Sequence, residues 1–128
     1  MAVRRVEVSG PARAVVAWER YAELDAWPTW APQIRVVDAD GPRLARGLTG
    51  VVRVLGGVRV PFVVTAVDAR ALAWSWIARV GPVALTLHHD LVPAAGGARA
   101  GLVLEGPAPV VAAYAPLTRL ALARLLAT

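Results

Sequence analysis

The chain has 128 residues, a formal net charge of +5 and 57% hydrophobic residues. Such a length makes one domain, here 1–128, with one real core, and the apolar fraction exceeds that of an average soluble domain. With no cysteine, disulfides, a thiol nucleophile and thiolate metal sites are excluded.

A weak alternation over Val3–Val8 predicts a first strand, near residues 2–9. Ser9-Gly10-Pro11 stops it and starts a short helix over 11–20, because Pro is tolerated in a first helical turn. In that helix Val15 and Trp18 are expected on the buried face, with Arg13 and Arg20 toward water. A second helical turn is expected over 22–26, ended by Trp27-Pro28 because the residue before Pro avoids the helical region. From Gln33 the hydrophobic period changes to two. Strands are predicted near 33–40, 47–55, 58–68, 71–80, 82–93 and 97–106, separated by Gly, Pro and Asp signals. Gly56-Gly57 reads as a tight hairpin, and links this short imply antiparallel pairing throughout. After Gly106-Pro107 the strand signals end, and a long Ala- and Leu-rich helix is predicted over 109–127, interrupted or kinked at Pro116. Leu120, Ala121 and Leu125 are expected to lead its buried stripe.

The expected class is α+β, with two short helices after the first strand and a curved antiparallel sheet wrapped around a long C-terminal helix. Together with the stretches VVAWERYAELDAWPTW and GPVALTLHHDLVPAAGG, this order resembles the START-like helix-grip superfamily. That superfamily, also called SRPBCC, includes polyketide cyclase/dehydrase and lipid-transport proteins. The resemblance implies a cavity between sheet and last helix, and an apolar, aromatic or polyketide- or lipid-like small molecule as its occupant. It leaves two alternatives open: a polyketide cyclase/aromatase-type enzyme using the same cavity, and an interaction protein with no ligand.

Strand parity supplies the candidate residues. Val83, Leu85, Leu87, His89 and Leu91 share one side of their strand, so His89 is expected inward and His88 outward, beside Thr86 and Asp90. An inward imidazole is the candidate catalytic acid/base, or else a core histidine satisfied by its neighbours. Trp74 and Trp76 share a parity and are expected to wall the cavity with Phe62, with Trp30 at its rim and Tyr114 at its mouth. The candidate ligand-binding set is therefore Trp30, Phe62, Trp74, Trp76, His89 and Tyr114. Arg59 and Thr65 have the parity opposite Phe62, so the cavity reads as drier than the polar-lined cavities of aromatase/cyclases, which favours binding over catalysis.

No metal site is expected, because adjacent strand residues such as His88 and His89 face opposite ways. No cofactor is implied, since the phosphate-loop and dinucleotide fingerprints are absent. All the basic residues are Arg, scattered from Arg4 to Arg124, which argues against a nucleic-acid face. No apolar stretch is long enough to span a membrane, and Arg4-Arg5 is not followed by an apolar signal-peptide core, so a cytoplasmic location is expected. On the outer sheet face Val51, Leu55, Val63, Val67, Ile77 and Val103, mixed with Arg53, Arg79 and Glu105, suggest a homodimer contact.

Overall fold

The computed structural model describes all residues, Met1–Thr128. Its seven strands are β1 (Ala2–Gly10), β2 (Ile34–Ala39), β3 (Thr49–Val54), β4 (Arg59–Asp68), β5 (Ala73–Val80), β6 (Val83–Ala94) and β7 (Gly97–Gly106). They form one antiparallel sheet in the order β1-β7-β6-β5-β4-β3-β2. Helices α1 (Ala14–Ala22) and α2 (Trp27–Trp30), with a single 3₁₀ turn at Leu24–Ala26 between them, carry the chain from one sheet edge to the other. The last helix, α3 (Ala108–Leu125), lies across the concave face. This is the helix-grip arrangement that the resemblance implies.

The hairpins follow from their turn residues. Gly56 and Gly57 both take positive φ, a region that costs a glycine nothing and other residues about 1 kcal/mol or more. At Gly50 the reason is room. A Cβ there would run into the Asp38 carbonyl and the Phe62 ring, so the missing side chain lets Phe62 lie across β3.

Several local expectations need correction. Trp27-Pro28 does not end a helical turn. Trp27 is itself helical, with φ −53° and ψ −42°, and Pro28 sits in the first turn of α2. The clash with a following proline is a bias, and here it yields to burial of two indoles. Their N–H groups tie α2 back to α1, Trp27 Nε1 donating to the Tyr21 carbonyl at 2.8 Å and Trp30 Nε1 to the Arg20 carbonyl at 3.0 Å. In α1 the buried face is Ala14, Ala17, Trp18 and Tyr21, while Val15 is exposed. Nor does Arg20 simply face water. Its guanidinium donates to the carbonyls of Leu125 and Ala127, both at 2.6 Å, a favourable place for a cation at the end of α3. In α3 the buried stripe is Val111, Ala115, Thr118, Ala121, Leu122 and Leu125, and Leu120 is exposed. The helix continues through Pro116, which lies on its exposed side.

Strand parity holds until a β-bulge breaks it. Pairing jumps from Val64 with Trp76 to Ala66 with Ser75, leaving Thr65 unpaired. One extra residue turns the strand over. Val67 therefore pairs with Trp74 and packs against the core instead of the outer face. Leu55, also expected on the outer face, lies beyond the end of β3 and edges the inner cavity described below.

Candidate functional site

Side-chain size changes along the concave face. Near α1 and α2 the inward positions hold rings: Phe62, Trp74, Trp76 and His89 are all buried. Toward the β3–β4 and β5–β6 hairpins they become Val52, Val60, Ala78 and Leu85. Small aliphatic side chains cannot reach α3, and a cavity of about 520 Å³ remains at that end. Val110, Tyr114 and Leu117, from the first half of α3, line its helix side. No lining residue is ionised at neutral pH; the polar atoms of the lining side chains belong to Gln33, Tyr114 and Trp76. Gln33 Nε2 donates to Tyr114 Oη at 2.8 Å, and burial pushes the Tyr114 hydroxyl pKa up, so it keeps its proton. Leu55, Val58 and Val80 are exposed at the rim.

The rings at the other end fill their own space. Trp27 stands at the centre, with centroids 5.8 Å from Phe62, 5.6 Å from Trp74 and 5.2 Å from Trp76. Most of these contacts are edge-on or tilted, the arrangement that aromatic quadrupoles favour. Tyr21 joins them, edge-on to Trp30, Trp74 and His89. The void left among the rings is about 40 Å³, room for a water or two and too small for an organic ligand.

The expected site residues divide between these two spaces. Trp76 and Tyr114 border both. Trp30, Trp74 and His89 border only the small void, and Phe62 borders neither. The expected convergence of Trp74, Trp76, Phe62 and His89 on one ligand-sized volume, with Trp30 at its rim, is thus replaced by rings packed on one another. Sequence reasoning missed Tyr21, Gln33 and the valines of the large cavity. The available signal was the change from rings to aliphatic side chains along β5 and β6 toward their shared hairpin.

His89 faces inward, as parity predicts, but its surroundings are those of a core residue. It stacks on Trp74 with centroids 3.9 Å apart and planes 3° from parallel. Its Nδ1–H donates to the Trp74 carbonyl at 3.3 Å, a long hydrogen bond. Burial pushes its pKa down to about 3; the Trp74 carbonyl opposes that fall and nearby His88 adds to it. An acid/base catalyst works best with a pKa near the operating pH, and this imidazole is neutral there.

His88 faces outward and has partners that spacing along one strand cannot reveal. Ser75 Oγ on β5 donates to His88 Nδ1 at 2.8 Å, and His88 Nε2 donates to Glu105 Oε2 on β7 at 3.0 Å. The set has the residue types of a hydrolytic triad. It sits, however, exposed on three adjoining strands, outside both the large cavity and the small void. It is a cross-strand polar row. No group of three His, Asp or Glu stands close enough to hold a metal ion, and no helix is long and apolar enough to cross a membrane.

The family described as "Polyketide cyclase / dehydrase and lipid transport" matches residues 1–128. No curated protein matches the chain. Among solved structures, protein MLL2253 from Mesorhizobium loti superposes with a TM-score of 0.81 at 13% identity, covering 97% of this chain and 93% of that one. Ara h 8.0201 gives 0.78 at 13% identity, covering 97% and 95%. The di-domain ARO/CYC protein BexL, from the BE-7585A biosynthetic pathway, gives 0.78 at 19% identity. The match covers 98% of this chain and 45% of BexL. At such identities these are likenesses of fold.

Proposed function

Because the chain belongs to the polyketide cyclase/dehydrase and lipid-transport family, we propose that it binds an apolar small molecule in the cavity between sheet and α3. The observation that carries this reading is the cavity of about 520 Å³ with its almost wholly aliphatic wall. Ligand pockets typically measure about 300–1,000 Å³ and are mainly apolar with few polar groups. A ligand-free interaction protein has no need of such a volume. Trp76 and Tyr114 are the two residues of the expected set that a ligand there would touch; the others support the wall from behind. Cyclase-type chemistry has less support, because Tyr114 is the one titratable side chain on the wall and it holds its proton. A cytoplasmic location belongs to the same proposal.

The test is a panel of sterols, fatty alcohols and flat aromatic compounds, followed by quenching of tryptophan fluorescence and by melting temperature. At least one class should quench Trp76 and raise the melting temperature. Val60→Trp, which fills the cavity from β4, should weaken that binding tenfold or more while leaving the protein folded. Binding that survives Val60→Trp places the ligand elsewhere, and a panel without any effect removes the carrier reading.

A homodimer through the outer sheet face is a separate proposal. Val63, Ile77 and Val103 are half-buried there and form its apolar part. Sedimentation at about 50 µM, where weak dimers become populated, should give a dimer mass. A single species of monomer mass would dispose of it.

A further inference from the structure

Resting on the cavity-binding reading, we propose that the ligand is an uncharged molecule bearing one hydroxyl or carbonyl, held at the Gln33–Tyr114 pair with its hydrocarbon body among the valines. Two observations carry this. First, no Arg, Asp or Glu lines either the cavity of about 520 Å³ or the smaller void behind it, although the chain has 14 basic and 9 acidic residues. The charges that exist are turned outward: Arg5 pairs with Asp90 and Glu7, and Arg43 with Glu19 and Glu23. A carboxylate brought into this cavity would lose its water and meet no counter-charge, which is far more costly than burying an alcohol.

Second, two of the three polar side chains of the wall, Gln33 and Tyr114, are bonded to each other, and the set is incompletely paired. Gln33, Tyr114 and Trp76 border both spaces. Tyr114 Oη accepts from Gln33 Nε2, which leaves its own O–H to donate. Gln33 Oε1 and Trp76 Nε1 are buried without any partner in the protein, and buried polar groups are ordinarily paired. A ligand oxygen at this point would accept from Tyr114. A ligand hydroxyl would also donate to Gln33 Oε1 after a small turn of the amide. The rest of the wall offers only dispersion and burial, so the polar group sets which end of the ligand enters.

Isothermal titration calorimetry with naphthalene, 2-naphthol and 2-naphthoate at pH 7.5 tests this on one ring skeleton. The naphthol should bind at least tenfold more tightly than the naphthoate. Tyr114→Phe should weaken the naphthol about five- to tenfold, the range for loss of one hydrogen bond, and leave naphthalene within about twofold. Naphthoate binding as tightly as naphthol overturns the uncharged-ligand claim. Equal weakening of naphthol and naphthalene by Tyr114→Phe overturns the anchor. In both cases the cavity-binding reading survives. If none of the three binds while a sterol or fatty alcohol does, this proposal falls and the cavity-binding reading stands; if nothing in either set binds, both fall.

Discussion

Trp27→Ala should lower the unfolding free energy by about 3–5 kcal/mol, the usual cost of removing a buried Trp side chain. Trp27 is 1% exposed and touches Trp30, Phe62, Trp74 and Trp76. The substitution also removes the indole N–H bond to the Tyr21 carbonyl, while α2 stays held to α1 through the Trp30 indole N–H and is not free to move into the hole. Domains of this size have roughly 5–15 kcal/mol in all, so the melting temperature should fall by about 10–20 °C. Urea and thermal unfolding of Trp27→Ala beside Trp27→Phe would measure it. A loss below about 1 kcal/mol would mean that the ring cluster is not the structural centre of the fold.

Acid should destabilise the protein through His89. Its folded pKa, about 3, lies below the ordinary 6.5. Above pH 6.5 neither state binds the proton and the contribution is flat. As the pH falls from 6.5 toward 3 the unfolded chain takes up a proton that the folded one refuses, and stability drops. At pH 4.5, two units below the unfolded pKa, the loss is about 2–3 kcal/mol. Carboxylates also titrate at the acid end, so the informative quantity is the difference between wild type and His89→Gln. The wild-type curve should fall more steeply between pH 6.5 and 3.5. Parallel curves would show that the imidazole protonates freely in the folded protein, and would return it to consideration as an acid/base.

Period and punctuation carried most of the fold. The change to period two at Gln33, the glycine hairpins and the apolar segment after Pro107 place every strand and the last helix to within a few residues. What periodicity could not foresee was set by tertiary contacts. The bulge at Thr65 moves Val67 to the other face, and nothing in VRVPFVVTAV announces the extra residue. Trp27 becomes helical before a proline because its ring is buried, a reason that exists only once β4 and β5 are in place. Parity put His89, Trp74 and Trp76 on the concave face but could not say whether rings that share a face enclose a space or fill it. Four rings, Trp27, Phe62, Trp74 and Trp76, with neighbouring centroids 5.1–5.8 Å apart, fill it. The cavity then falls where the sequence offers valine and alanine, at positions with no chemistry to draw attention to them.

Methyl-resolved NMR of the protein titrated with 2-naphthol tests the central claim most directly. The account predicts shifts and ligand-to-methyl contacts at Val52, Val60, Leu85 and Val110 of the cavity wall, with the outer-face methyls of Val63, Ile77 and Val103 unmoved. Contacts confined to those outer methyls, or no contact at any methyl at saturating ligand, would contradict it.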